Sequence, residues 1–276
     1  MTWYLETSVA GGIYGLLVGQ LVPTIISRIP EPDPDPDPLP DPLPESTPES
    51  IPEWAPDLPV LEADAAAADP EPVELGRPRP PGRRKELYAD IARRRGLRTM
   101  SSLATGVVAA LVGGAVGWSP ALSFLLYLAP VGVALAVVDW RTRLLPTKLI
   151  APSYLVVVAL VLVSAWAEGD RDALFSAGWG WLVAGGLFFA LWFVYPRGMG
   201  YGDVRLSGIL GIVLGYLGWS ELLIGIYAGF VVGGVGGLLL SLLRVVDRKA
   251  YPFGPFMLVG AVIGIVLGPG LAVWYS

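Results

Sequence analysis

The sequence predicts an all-α polytopic membrane protein, with about eight transmembrane helices and a long acidic, proline-rich loop between the first two. Three observations predict it. The 276-residue chain is 54% hydrophobic, with a mean hydropathy of +0.59, above the composition of an ordinary soluble domain. Its apolar residues come in blocks near the roughly 20 helical residues that cross a bilayer core. Its charges are segregated. Residues 28–76 hold 14 acids and one base, Arg28, a net −13, which leaves +8 on the rest of a chain whose total is −5.

The elements follow in order. Residues 9–26, VAGGIYGLLVGQLVPTII, are apolar enough to span. No basic stretch precedes them and no clean small-residue cleavage site follows, so an uncleaved first helix is expected within residues 1–27. Residues 28–82 come next. In PEPDPDPDPLPDPLPES proline stands at nearly every second position, removing backbone donors and fixing φ. The acids repel one another, so a disordered cytoplasmic linker acting as a spacer is expected. Residues 83–98, RRKELYADIARRRGLR, predict a short basic helix with Leu87 and Ile91 on one face and Arg93, Arg94 and Arg95 at its end. Such a helix lies against anionic headgroups. It is a membrane anchor, and no nucleic-acid partner is expected.

The remainder, 99–276, predicts a seven-helix membrane domain. Its apolar blocks run at about 100–117, 121–138, 149–167, 178–195, 206–218, 221–243 and 253–275. If the 28–98 loop is cytoplasmic, strict alternation places 18 of the 19 Lys and Arg residues on that side, with Arg171 alone outside. The positive-inside rule therefore predicts a multi-pass protein of the cytoplasmic membrane with both termini outside. The same alternation brings three irregular segments, DWRTRLLPTK, PRGMGYGD and DRKAYPFGPF, to the cytoplasmic face.

Those segments carry the chemistry. The chain has no cysteine and no histidine. Disulfides, a cysteine-based zinc site, and thiol or imidazole catalysis are excluded. In PRGMGYGDVRL, Gly198, Gly200 and Gly202 weaken the helix just before Asp203, and an acid near lipid is expensive. Asp139 closes the apolar run GVALAVVD. Two carboxylates sharing one site compete for a proton. The ionised member can take a proton from water. The neutral member can polarise an amide carbonyl and then protonate the leaving amine. Neither metal nor cofactor enters this chemistry. Structural roles compete with it. Asp203 can cap the helix it begins, and Asp139, near Arg141 and Arg143, can be a solvated helix end. Asp247, among Arg244, Arg248 and Lys249, is a weaker candidate.

Four stretches resemble one known family in its own order. GMGYGDVRL resembles the GxGD signature of intramembrane aspartyl proteases, filled by Gly200, Gly202 and Asp203. Asp139, followed by Leu145 and Pro146, resembles the other aspartate motif of the type IV prepilin peptidases. YPFGPFMLVGA resembles their Pro-Phe-Gly-Pro segment, and YGLLVGQLVPTIISRIP their first span, ending in Arg28-Ile29-Pro30. The resemblance implies a membrane endopeptidase that cuts the basic leader from type IV prepilin-like precursors at the cytoplasmic face. It implies Asp139 and Asp203 as the catalytic pair. Gly198, Gly200, Gly202, Leu145, Pro146, Pro252, Phe253, Gly254 and Pro255 would shape the site.

The chain also departs from that family. Many members carry two CxxC pairs in the first loop and N-methylate the new amino terminus. This chain has no cysteine. Gln20 and Pro23 stand where Ser and Asn are usual, and Thr147 where an acid or amide often follows Leu-Pro. Cleavage without methylation is therefore expected. The alternatives are a proton-coupled transporter, since paired membrane acids can relay protons, and a GxGD protease of another substrate class. Glycines four apart in the first span (Gly11, Gly15, Gly19), the seventh (Gly225, Gly229, Gly233, Gly237) and the eighth (Gly260, Gly264, Gly268) predict close helix packing. A gap that admits a substrate helix along the seventh span is the second use such a face could have.

Overall fold

In the computed structural model, residues 3–31, 87–196, 199–242 and 252–275 are described, and they contain helices and turns but no strand. The expected linker lies almost wholly outside these residues, as do Gly198 and Asp247. The chain divides into two units, residues 1–30 with 86–276, and residues 31–85. Only the first is described below.

The first span runs from Leu5 to Ser27 as two helices, α1 (Leu5–Val18) and α2 (Val22–Ser27), with a tight 3-10 turn at Gly19–Leu21 between them. Pro23 explains the break. Its ring has no N–H and would collide with the carbonyl four residues back, at Gly19. A five-residue helix α3 (Tyr88–Ala92) follows, then α4 (Leu97–Val116), α5 (Leu122–Thr142), α6 (Thr147–Glu168), α7 (Arg171–Val194), α8 (Tyr201–Leu217), α9 (Trp219–Leu242) and α10 (Gly254–Tyr275). Turn chemistry sets the boundaries. Gly169 takes a left-handed φ of 70° and ends α6. Asp170 then caps α7, its Oδ1 accepting the Ala173 N–H at 2.9 Å.

Among the described residues seven helices are long and apolar enough to cross a membrane. The expected eighth is α8, whose 17 residues sit at the short end of the spanning range. It is the central helix. Asp203, Val204 and every residue from Leu206 to Tyr216 are buried by neighbours, so it meets little lipid. The outer helices show the opposite. Leu155, Trp166 and Phe175 are each more than 70% exposed, an apolar surface that suits a bilayer. Trp3, Trp118, Trp166 and Trp219 are exposed at one end of the bundle, where a membrane interface favours them.

Glycine packing joins the helices in three tight pairs. In α1 and α4, a Cβ on Gly15 would stand 2.5 Å from the Thr105 carbonyl oxygen. In α7 and α8, one on Gly180 would stand 2.2 Å from the Gly211 carbonyl oxygen. In α9 and α10, one on Gly260 would stand 2.4 Å from the Gly229 nitrogen. Backbones this close gain dispersion contacts where no hydrophobic force acts between helices. Gly225, Gly229 and Gly233 of α9 are thus covered by α10 and its lead-in residues, with Leu214 of α8 also against Gly225. At these three positions the seventh-span face is a packing face, with no gap for a substrate helix. Buried hydroxyls add cross-ties. Thr7 Oγ1 donates to the Gly113 carbonyl at 2.6 Å, and Ser101 Oγ to that of Gly19 at 3.0 Å.

The expected basic helix is corrected in two respects. Its described part is only α3, and Arg93 to Gly96 turn into α4. Its buried face is Tyr88 and Ile91, whereas Leu87, just ahead of the helix, is exposed. Tyr88 and Ile91 pack with Val22, Ile26, Ile29, Ala134 and Val138. Adjacent residues point about 100° apart on a helix. The pair that meets α2 and α5 is therefore three apart, 88 and 91.

Candidate active site

Antiparallel alternation brings the end of α5, the starts of α6 and α8, and the start of α10 to one membrane edge. Asp139 lies in the last turn of α5, 4% exposed, and Asp203 in the first turn of α8, 7% exposed. Asp203 is within electrostatic reach of Asp139. The two expected carboxylates are therefore neighbours, and neither is a solvated helix end.

Each acid is held by a glycine. Asp203 Oδ2 accepts the Gly200 N–H at 3.1 Å, while the Asp203 N–H donates to the Gly200 carbonyl at 3.0 Å. The capping role expected of Asp203 is thus present, and it fixes the carboxylate's direction. Asp139 Oδ2 accepts the Gly254 N–H at 3.0 Å, a contact between residues 115 apart in sequence. Among the described residues no hydrogen bond occupies the second oxygen of either acid. One oxygen of each acid is thus anchored by a backbone N–H.

The surrounding residues explain how the glycines arrive. Arg143, with φ 56°, ends α5 in the left-handed region, and its N–H donates to the Asp139 carbonyl at 2.8 Å. A non-glycine residue there costs roughly 1–3 kcal/mol and recurs at functional sites. The turn sends Leu144, Leu145 and Pro146 back under the site, and buried Pro146 precedes the first residue of α6. Leu145 sits between the two arms. A Cβ on Gly202 would stand 2.6 Å from Leu145 Cβ, and one on Gly254 would stand 2.8 Å from Asp139 Oδ2 and 3.5 Å from Leu145 Cδ1. Close approach is what demands glycine at 202 and 254. At Gly200 the added atom would meet Asp203 at an ordinary 3.5 Å.

The Pro252–Pro255 segment anchors α10. Phe253 packs its ring on Phe188 and Phe230, at 5.9 and 5.6 Å between centroids, and its carbonyl accepts the Phe256 and Met257 N–H groups. Pro255 falls in the first turn of α10, where a missing donor is harmless. Buried Pro252 and the Phe253 stack therefore aim the Gly254 N–H at Asp139. The Phe188–Phe230–Phe253 cluster was not anticipated, because three phenylalanines in separate apolar runs carry no spacing signal. Among the described residues no three Asp, Glu, His or Cys side chains gather closely enough to hold a metal ion.

Residues 126–268 match the model of the type IV leader peptidase family, a span that holds both aspartates, Leu145–Pro146, the GxGD segment and Pro252–Pro255. A protein from Aeromonas salmonicida strain A449 named prepilin leader peptidase/N-methyltransferase is 33% identical over 161 residues, 58% of this chain and 53% of its own length. Namesakes from Stutzerimonas stutzeri and Escherichia coli K12 are 30% identical over 182 residues (63% and 59%) and 32% over 148 (52% and 61%). The chain spans about half the length of the curated relatives it matches. No solved structure matches. From the matched residues, the chain belongs to the type IV leader peptidase family.

Proposed function

We propose that this protein is a membrane aspartyl endopeptidase that removes the basic leader from type IV prepilin-like precursors, with Asp139 and Asp203 as its catalytic pair. The observation that carries the proposal is the pairing of two buried carboxylates from different helices at one membrane edge, each with one oxygen pinned by a glycine N–H. Pinning removes rotational freedom before substrate arrives, which is how positioning lowers a barrier. In the proposed reaction one carboxylate takes a proton from water as the oxygen attacks the scissile carbonyl. The protonated partner hydrogen-bonds the carbonyl oxygen, and a proton then passes to the departing amine as the C–N bond breaks. Charge segregation along the chain supports a cytoplasmic-membrane location with the site facing the cytoplasm.

The test is cleavage of a purified prepilin in liposomes that contain the full chain. Asp139→Asn and Asp203→Asn should each lower kcat by about 100- to 10,000-fold, the contribution of one positioned proton-transfer group. Full cleavage by either variant removes the mechanism. Mass spectrometry of the processed pilin tests the second activity in the relatives' printed names. The expected product carries an unmodified amino terminus.

A further inference from the structure

On the side of α8 away from the aspartates, α6 and α7 diverge and leave a groove. Its wider stretch, about 620 Å³, is lined by apolar residues that include Val158, Leu162, Ala177 and Gly178. Its narrower stretch, about 290 Å³, runs toward the membrane edge past Gly186, Phe189, Tyr201 and Arg205. Tyr154 and Trp181 line both stretches, and Gly208 and Ile212 of α8 form the floor. A Cβ on Gly178 or Gly186 would meet nothing within 4 Å, so this space is empty of protein.

The groove ends on a cation. Arg205 stands two residues after Asp203, about 200° round the helix, and so points away from it. Its guanidinium lies over the Tyr201 ring, 4.6 Å from the centroid, and Nη1 donates to Thr147 Oγ1. The Arg205 carbonyl accepts the Tyr154 hydroxyl at 2.8 Å. No carboxylate among the described residues pairs with this guanidinium, whose planar donors suit a phosphate. An apolar slot that leads to an oriented cation ringed by Tyr and Trp has the polarity profile of a lipid, chain to headgroup.

We propose that this groove binds an anionic phospholipid, with an acyl chain along Val158 and Leu162 and the phosphate at Arg205. Charge decides against a precursor peptide. A basic leader would bring like charge to Arg205, which lines the end of the groove, whereas a phosphate is attracted there. A slender chain fits. Because the floor is α8, the lipid rests on the helix that carries Asp203. The inference rests on the membrane-spanning fold and stands apart from the peptidase assignment.

The experiment is native mass spectrometry of the full chain in mild detergent, titrated with phosphatidylglycerol or phosphatidylcholine of equal chain length. The wild type should retain phosphatidylglycerol about five-fold better, the preference one cation near an anionic surface confers. Arg205→Gln should abolish the preference and Arg205→Lys should keep most of it. Gly178→Leu and Gly186→Leu, which project into open space, should weaken retention of both lipids without lowering the melting temperature. Equal retention of the two lipids by the wild type overturns the proposal. So does unchanged phosphatidylglycerol retention in both leucine variants. Capture of a prepilin helix by a crosslinker placed at position 178 also overturns it. Retention is read without any cleavage step, so its failure is distinct from failure of the peptidase assignment.

Discussion

Gly254→Ala should separate the geometry of the site from the stability of the fold. The new Cβ would stand 2.8 Å from Asp139 Oδ2, about 0.6 Å inside ordinary contact. The atom it meets is the tip of a short side chain, so the carboxylate gives way before the backbone does. Turning Asp139 about 30° from its rotamer costs roughly 0.5–1.5 kcal/mol. Alanine also reduces the freedom of the unfolded chain by a similar amount in the opposite direction. The melting temperature should therefore stay within a few degrees of wild type. The rate should not, because a 1 Å misplacement at a catalytic centre costs on the order of 100-fold. A fall in kcat of about 10- to 100-fold is expected, with KM little changed. The assay is initial-rate cleavage of a purified prepilin in liposomes, alongside thermal unfolding of the same preparation. A correctly folded variant with wild-type kcat would refute the idea that the Gly254 contact sets the Asp139 carboxylate.

Changes at two glycines and one deletion test other parts of the structure. Gly202→Ala drives a Cβ to 2.6 Å from Leu145 Cβ, which cannot swing aside, so unfolding should become easier by about 1–3 kcal/mol. Adding Leu145→Gly, and not Leu145→Ala, should recover part of that loss in a double-mutant cycle. Gly260→Leu wedges α9 from α10 at the Gly229 backbone and should lower the melting temperature more than any change at the site. Removal of residues 31–76 takes out a segment with 14 acids and no base, and cleavage measured on the shortened protein should persist.

Local chemistry made much of this architecture legible. Long apolar blocks gave the helices their number and order, and alternation gave Asp139, Asp203 and the Pro252–Pro255 segment a common edge. Boundaries were less legible. Pro23 splits the first span, and α3 shows Tyr88, not Leu87, to the core, because the phase of so short a helix depends on the turn that follows. The central place of α8 was hidden as well. A short glycine-rich run reads as a weak span, yet its glycines let α7 close over it. Leu145 was expected to shape the site, but its position between Gly202 and Gly254 is a fact of packing that spacing does not encode. Tyr154 and Trp181 gave no signal because lone aromatics in apolar helices are ordinary lipid-facing residues.

The hydrogen bond from Gly254 to Asp139 has a consequence for biogenesis. Both acids are synthesised and delivered to the bilayer with α5 and α8, well before α10 leaves the ribosome. Until α10 inserts and docks, Asp139 lacks the N–H that holds it. A half-made chain therefore carries its full set of aspartates and no assembled centre. On the catalytic assignment proposed above, the chain should be inactive until its last helix inserts, even while it shares the insertion machinery with nascent precursors.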